Sequence, residues 1–481
     1  MRIRIAQLTV FLILFGSISG CASVSLKREL ADIQKDIEHR INKRFGPDFD
    51  TTDKSAVENK IQAFLQNLLS VDEAVEMALF NNPSLRATFE ELGITKADLV
   101  QQGLLKNPFF RGSIREPSHD GKTNTEFEVR QDVMSILTLP LRKRLTGLQL
   151  EQAKYSLGEA ILHLESEVRN AYYTLQAVKQ MVTMQEKILK GEEAATELAQ
   201  RQFGAGNVND LAVTGHQLAL TQAQMILKVR EIEANEARET LGRLMGLTNK
   251  EVDWNIHDSL PFVSQKESRL EELETKARSN NFDLLTARQQ VKIMEDTLKV
   301  SRVNVLPEIH AGYNTEKEAD GGRLEGPAFE IEVPLFDQKQ SGVARSQAQL
   351  KQARELLKAK EDEVISQVRS KYSRLLATKS MAETYLKSTL PLHAKLIDSL
   401  QRHYNFMLIG VYDLLNAKKE ESEAYHKFVE TLKEYWILRS ELELLTGESM
   451  EYVLADITAG IGDPKISAQG QHDHGSHGGE K

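Results

Sequence analysis

The side chains best suited to metal chemistry lie near the C-terminal end of the chain. His472, His474 and His477 stand within six residues of one another, and Asp473 lies between the first two. Imidazole and carboxylate groups at such short spacing are ligands for copper, nickel or zinc, so they predict a weak metal site. The alternative is a solvated tail without selected chemistry, and the sequence does not separate the two.

Motifs for catalysis are not found in the sequence. There is no His-Glu-x-x-His, no Gly-x-Ser-x-Gly and no phosphate-binding loop. The pair Gly204 and Gly206 lacks both the third glycine and the preceding strand of a dinucleotide loop. A net charge of −9 without a compensating basic block argues against a nucleic-acid partner. We therefore predict neither an enzyme nor a resident cofactor.

The N-terminal residues 1–20 read as a secretory signal peptide. Arg2 and Arg4 supply the positive flank, and residues 8–15 (LTVFLILF) form an apolar core too short to span a bilayer as a helix. Small residues follow at the expected cleavage region. The signal predicts export.

Cys21, the one cysteine of the chain, follows this signal directly. Residues 18–21 (ISGC) resemble the bacterial lipobox, whose cysteine is acylated and becomes the mature N-terminus. Ala22, rather than an aspartate, resembles the sorting signal for the outer membrane. We predict lipidation of Cys21 and a lipid-anchored tether over residues 21–70. The alternative is an ordinary signal peptide with an incidental cysteine.

Between the signal peptide and the histidine tail, the sequence predicts an unusually long helix. Residues 141–203 contain no proline and would form a helix of roughly 95 Å. Apolar residues recur at alternating steps of four and three, the heptad pattern of helices packed knobs-into-holes. They are Leu157, Ile161, Leu164, Val168, Ala171, Leu175, Val178 and Val182. Globular enzymes rarely contain such a helix, so we expect a function in which the helix bridges two distant places.

From residue 71 the chain repeats itself. Residues 81–85 (NNPSL) return as 280–284 (NNFDL), and residues 168–172 (VRNAY) return as 368–372 (VRSKY). Pro108 and Leu244-Met245-Gly246 also have counterparts about 200 residues later, at Pro307 and Leu445-Thr446-Gly447. This near-constant offset predicts a tandem duplication.

Each copy is predicted to contain two antiparallel helical rods and a β-hairpin. The first repeat covers residues 71–250, with a hairpin at about 109–135, the long helix at 141–203 and a return helix at 211–246. A linker covers residues 251–269. The second repeat covers residues 270–447, with a hairpin at about 308–335, a long helix at about 341–405 that Pro391 should kink, and a return helix at 413–446. Residues 448–481 form the histidine-containing tail.

The hairpin strands alternate strictly between apolar and charged residues. Phe127 and Val129 alternate with Glu126, Glu128 and Arg130, and Phe329 and Ile331 alternate with Glu330 and Glu332. Period-two alternation predicts one apolar and one charged face. The strands belong either to a half-buried soluble hairpin or to a transmembrane hairpin with its charges facing a watery lumen.

The order of these landmarks resembles the TolC-like outer-membrane efflux protein family. Residues 71–79 (VDEAVEMAL) running into 81–85 (NNPSL) look like the family's opening signature, and residues 106–108 (KNP) and 333–337 (VPLFD) are similar to later ones. The resemblance covers residues 71–447. It implies a mainly α protein with a membrane β-barrel, a homotrimer in which four strands per protomer form a 12-stranded barrel above a helical periplasmic tunnel.

The resemblance also implies function and partners. The family members are passive, gated exit ducts, and the lipoprotein branch works with a periplasmic adaptor and a proton-driven inner-membrane pump. We therefore expect a lipid-anchored protein in the outer membrane that exports metal ions or drugs and extends into the periplasm. The alternative is a lipid-anchored periplasmic coiled-coil adaptor or scaffold, although an adaptor has one helical hairpin and this chain predicts two.

Gate residues follow from the same resemblance. In the family an aspartate just after the second helical turn lines the closed constriction, and Asp413 matches it. Asp210 is its counterpart in the first repeat, and Asn416 replaces a second acid found in some members. Met407 stands where a glycine is usual. The alternative role of both aspartates is to cap the return helices.

Overall fold

The computed structural model describes residues 26–41, 54–116, 123–247, 254–318 and 320–450. The predicted lipidation site Cys21 and the three tail histidines lie outside these residues. The described chain is mainly helical. No described helix combines the length and the apolar composition that a membrane-spanning helix needs.

Two sets of elements follow one another in the same order, after an N-terminal pair of helices. The N-terminal pair is α1 (Lys27–Ile41) and α2 (Lys54–Leu65). The first set is α3 (Val71–Asn81), α4 (Pro83–Gln102), β2 (Phe109–Arg115), β3 (Asn124–Asp132), α5 (Val133–Gly204) and α6 (Asp210–Leu244). The second set is α7 (Leu270–Asn280), α8 (Phe282–Val303), β5 (Glu308–Lys317), β6 (Arg323–Glu332), α9 (Gln340–Thr384), α10 (Leu390–Asn405) and α11 (Val411–Thr446). Two short strands, β1 (Leu68–Leu69) and β4 (Asn255–Ile256), pair in parallel.

The long helix α5 begins at Val133 rather than at residue 141, because Asp132 caps it directly after the strand. The Asp132 carboxylate accepts a hydrogen bond of 2.9 Å from the Ser135 backbone N–H. Pro140 therefore lies inside the helix instead of before it. Of the eight predicted heptad residues, all except Ala171 and Val182 are buried. The heptad face packs inward as expected.

The second long rod is divided, and the division lies just before Pro391. A single π-helical turn, Tyr385–Thr389, separates α9 from α10, and Pro391 falls in the first turn of α10. The Leu390 N–H bonds to the Tyr385 carbonyl, five residues back. A π-turn accommodates the proline, whose missing N–H and ring would disturb a regular α-helix at this point.

The repeated asparagines join the end of each return helix, α6 or α11, to the start of another helix. The Asn82 side-chain amide donates to the Leu244 carbonyl at 2.9 Å, and its oxygen accepts from the Leu85 N–H. Asn281 donates to the Leu445 carbonyl at 3.0 Å and accepts from the Leu284 N–H. One side chain therefore caps one helix and holds the end of another in each set.

The glycines that follow the two return helices occupy equivalent positions for the same physical reason. Gly246 and Gly447 both adopt positive φ, 71° and 66°. A Cβ atom at these positions would lie 2.4 Å from the Asn81 carbonyl oxygen and 2.5 Å from the Asn280 carbonyl oxygen. Only glycine combines this backbone conformation with so close an approach.

The two hairpins form one antiparallel sheet of four strands in the order β2-β3-β5-β6. The two sets of elements meet where β3 pairs with β5, for example at Phe127 and Thr315. Strands β2 and β6 form the edges of this sheet, and neither has a second neighbour among the described strands.

A buried polar cluster, here called the hub, lies where α11 meets the segment between the two sets. Arg439 is 1% exposed and donates to the Glu267 carboxylate at 2.9 Å and to the Met450 carbonyl at 2.7 Å. The Tyr435 hydroxyl donates to the same carboxylate at 2.5 Å. Burial and the Glu267 charge raise the pKa of Tyr435, so its hydroxyl stays a donor at neutral pH. The hub ties α11 to the segment between the two sets of elements.

Candidate functional surfaces

The sheet has a charged face that contains all five charged strand residues predicted from the alternation. They are Glu126, Glu128, Arg130, Glu330 and Glu332, and the pairing register puts them on the same side. Arg130 is their electrostatic centre. It forms ion pairs with Glu128 at 3.2 Å and with Glu330 of the other hairpin, so one cation joins carboxylates from both sets of elements.

Polar residues that the alternation did not single out as a site extend this face. The Asn314 amide donates to Glu126 at 3.0 Å, and the Asn124 amide donates to Glu316 at 2.7 Å. Both bonds cross the β3–β5 pairing. The period-two pattern of the strands could have placed Asn314 on the charged face. Only the pairing of the hairpins shows which carboxylates the two asparagines contact.

The opposite face of the sheet is apolar and exposed. Phe127, Val129, Phe329 and Ile331 lie on it, as the alternation predicts, and Phe110 of β2 joins them. The aromatic side chain of Phe329 is 72% exposed. An apolar patch of this kind is unusual on a surface in contact with water and marks a face that binds an apolar medium or a partner.

The two turns that connect the rods to their return helices, here called the tip turns, cover residues 205–209 and 406–410. Gly206 and Met407 occupy equivalent left-handed positions, with φ of 73° and 57°. Methionine in this conformation carries a cost that glycine avoids. Met407 is also 93% exposed, and Phe406 and Leu408 beside it are exposed as well. The second tip turn is therefore strained and apolar.

The three predicted gate residues lie exposed at the starts of the return helices. The Asp413 carboxylate accepts a hydrogen bond of 3.2 Å from the Gly410 N–H, so it caps α11. Asp210 is the first residue of α6, but the cap there is Asn209, which accepts from the Ala212 N–H at 3.0 Å. Capping by Asp210 is therefore wrong.

The two return helices lie side by side near the tip turns. The ring of His216 on α6 stacks on that of Tyr412 on α11, with centroids 4.7 Å apart and an angle of 19°. Asn416, one turn beyond Asp413, donates to Glu420 at 3.2 Å. Asp210 and Asp413 thus begin two neighbouring helices.

A carboxyl pair lies in a cleft of about 450 Å³ between α5, α8 and α9. Burial and Asp283 raise the pKa of Glu159 to about 7, and Lys360 lies 3.4 Å from Asp283. The pair therefore takes up a proton on Glu159 as the pH falls through about 7. Sequence reasoning missed it because its members lie on helices far apart in the chain. Within the described residues, no group of three or more His, Cys, Asp or Glu side chains forms a metal-binding arrangement.

Comparison with known proteins gives consistent matches. The family profile named outer membrane efflux protein matches residues 144–247 and 273–448. The chain is 17% identical over 391 residues to the cobalt-zinc-cadmium resistance protein CzcC of Cupriavidus metallidurans, a match that covers 79% of this chain and 90% of that protein.

Two solved structures share the fold. The CusC structure has a TM-score of 0.66 at 14% identity and covers 79% of this chain and 92% of CusC. The outer membrane protein VceC of Vibrio cholerae has a TM-score of 0.63 at 14% identity, with coverage of 79% of this chain and 97% of VceC.

Proposed function

Because this chain belongs to the outer membrane efflux protein family, we propose that it is the passive, gated exit duct of a tripartite efflux system. The observation that carries the proposal is the single sheet with one charged and one exposed apolar face, held at the end of helical rods. A rod the length of α5, with its 72 residues, extends roughly 110 Å. The family match favours the duct over a periplasmic adaptor or scaffold.

The edges of the sheet support a homotrimer. In lipid the unpaired backbone groups of β2 and β6 would each cost several kcal/mol, so both edges must be paired. Three copies of a four-stranded sheet close into a 12-stranded barrel. In that barrel the apolar face meets lipid, and the face with Glu126, Glu128, Arg130, Glu330 and Glu332 lines the lumen.

The surface of the return helix α6 also supports a trimer. Four of its exposed apolar residues are spaced seven apart: Leu211, Leu218, Met225 and Ile232. A heptad stripe exposed on one protomer requires a neighbouring helix to cover it. Helices of the adjoining protomers in a trimeric tunnel supply that cover.

The docking of α1 supports the lipid anchor. Glu29 pairs with Lys96 in the half of α4 that leads toward the sheet, and Arg40 at the other end of α1 donates to the Asn280 carbonyl at 2.9 Å. Helix α1 therefore runs along the rods with its N-terminus on the sheet side. From Leu26, an extended chain back to Cys21 reaches roughly 17 Å. This reach suits an acylated Cys21 in the outer membrane.

The substrate is proposed to be divalent metal cations, because CzcC is by its name a cobalt, zinc and cadmium resistance protein. The charged face of the sheet supports this choice over drugs, since its carboxylates outnumber its arginines. A periplasmic adaptor and a proton-driven inner-membrane pump are the partners that deliver the cations. His472, His474 and His477 would bind the same class of ion in the tail.

Deletion of the gene in its host tests this function. The deletion strain is expected to lose tolerance to cobalt, zinc or cadmium while its tolerance to hydrophobic drugs stays unchanged, and the wild-type gene should restore metal tolerance. Growth across a dilution series of each metal is the measurement. Loss of drug tolerance alone would reject metal cations as the substrate and leave the duct function intact.

Complementation of the deletion strain with variants tests what Cys21 and the tail histidines each contribute to metal tolerance. Complementation with the Cys21→Ala variant should be partial, because the sheet still holds the protein in the membrane. Mass spectrometry of the wild-type protein should find acyl chains on Cys21. A variant truncated after residue 470 should restore less metal tolerance if the tail histidines bind the ion.

For the gate, we propose that Asp413 of three protomers meets near the axis of the tunnel, with Asp210 and Asn416 close to it. Like charges held together bind cations, so purified trimers in planar bilayers should be blocked by divalent cations. The Asp413→Ala variant should lose most of this block. An unchanged block, together with a lower melting temperature, would leave Asp413 with its helix-capping role alone.

A further inference from the structure

The two return helices α6 and α11 are joined by two side-chain contacts in the same register. The first is the stack of His216 on Tyr412 near the tip turns. The second is a hydrogen bond of 2.7 Å between Arg230 Nη2 and His426 Nε2. On both helices the two contacts are separated by 14 residues, from 216 to 230 and from 412 to 426. Two parallel helices therefore touch at an interval of two heptads, roughly 21 Å.

The chemistry of the second contact depends on the charge of His426. A guanidinium group can only donate, so His426 Nε2 must accept, and the ring must be neutral with its proton on Nδ1. Protonation removes this acceptor and puts a second cation against Arg230. Arg230 cannot move away freely, because its other Nη atom donates to Glu233 at 2.7 Å.

The surroundings of His426 favour its neutral form. Burial, and after it the charge of Arg230, lower the pKa of His426 below its ordinary value of 6.5. Lys427 lines the same groove as His426, and the other charged groups there are paired among themselves. On α6 this is Glu233 with Arg230, on α11 Glu430 with Lys433, and between α9 and α11 Lys371 with Glu441 and Arg374 with Glu434.

The π-turn of the second rod lies at the same level as this contact. Phe428, two residues from His426, packs against Tyr385 in the π-turn, with ring centroids 6.4 Å apart. Single π-turns inside long helices often mark sites of functional bending. The segments of α10 and α11 between this level and the second tip turn can therefore move together.

We propose that His426 and Arg230 form an acid-sensitive latch that keeps α6 and α11 together and the tip closed, and that protonation of His426 releases it. The latch is a form of regulation of the duct, and its role in opening rests on the proposed function. The neutral ring favours the joined helices, so their stabilisation is present above the ordinary histidine pKa and is lost as the pH falls below it. Each unit by which the pKa values of the joined and separated states differ gives a tenfold shift in the ratio of the two.

The separation of the helices can be measured directly in the full-length trimer. Spin labels on cysteines introduced at Gln222 and Lys419, both exposed and close to the middle of the interval, report the distance between α6 and α11. Wild-type protein should shift from a short to a long distance between about pH 7.5 and about pH 5. The His426→Gln variant keeps an acceptor for Arg230 but cannot be charged, so it should stay at the short distance at both pH values.

Two further variants make the test decisive. His426→Arg carries a permanent charge and should show the long distance already at neutral pH. His403→Gln replaces an exposed histidine on α10 and should respond to acid like the wild type. The latch is overturned if wild-type protein shows no acid response, or if His426→Gln separates as fully as the wild type.

Conductance in planar bilayers distinguishes failure of the latch from failure of the duct. If the protein forms no pore at either pH, the proposed function fails, while the label distances still test the latch. If pores form and their open fraction does not rise in acid, the latch has no part in opening and the proposal is rejected.

Discussion

Replacing Arg439 by alanine is expected to lower the free energy of unfolding by about 3–5 kcal/mol, because it leaves a buried carboxylate without its main partner. Glu267 accepts hydrogen bonds from Arg439 at 2.9 Å and from Tyr435 at 2.5 Å. Lys379 lies 3.4 Å away and compensates only part of the lost charge. The Met450 carbonyl loses its donor in the same variant. Denaturant-induced unfolding of the detergent-solubilised protein measures the effect.

The matched control is Arg374→Ala. Arg374 lies on α9 and pairs with Glu434, which lies on α11 as Arg439 does. Its side chain is 63% exposed, and its contact with Glu434 is 2.5 Å. Exposed ion pairs of this type contribute about 0–1 kcal/mol, since water screens them and holding two long side chains costs entropy. Equal losses in the two variants would mean that the hub contributes no more than a surface ion pair.

The repeated residues could be recognised in the sequence, but the contacts that explain them could not. The asparagine pair at 81–82 and the glycine at 246 could be matched to 280–281 and 447 from spacing alone. Their physical relation could not, because nothing in a linear pattern states that Asn82 bonds to the Leu244 carbonyl. The structure explains the pattern by one joint used twice, in which an asparagine caps one helix and a glycine lets the chain pass close to it.

The faces of the strands followed from the sequence, but their partners did not. Strict alternation assigns Glu128 and Arg130 to one face regardless of what the strands pair with. The ion pair of Arg130 with Glu330 required the pairing of β3 with β5, which joins residues about 200 positions apart. The contact between Arg230 and His426 is of the same kind, since each side chain alone reads as an ordinary polar residue on a heptad helix.

Element boundaries failed where a local cap competed with a proline. The sequence favoured a helix start after Pro140, yet the Asp132 carboxylate already starts α5 at Val133. In the second rod the sequence predicted one helix over about 341–405, but a π-turn at Tyr385–Thr389 divides it just before Pro391; the kink at Pro391 stays a prediction. Both differences have the same origin, because a proline removes one hydrogen bond and the neighbouring residues decide how the helix adjusts.

The environment of the apolar face gives the second large expected effect. Phe329 is 72% exposed on the face that we propose meets lipid, so Phe329→Lys should destabilise the inserted barrel by about 2–4 kcal/mol if the residue lies near the bilayer midplane. A lysine there must be buried in hydrocarbon, and the residue paired with it on β5 is Ala311, which offers no charge. Urea-induced unfolding of the protein folded in lipid vesicles measures the difference.

The control is Glu330→Lys, one residue along the same strand and at nearly the same depth, on the charged face. Glu330 is 60% exposed and pairs with Arg130, which keeps Glu128 at 3.2 Å when that pair is removed. In a water-filled lumen the new lysine stays hydrated, so the loss should not exceed about 1 kcal/mol. The ratio of the two effects identifies the medium on each side of the sheet. Equal losses would mean that both faces meet the same environment, which is the behaviour of a soluble hairpin.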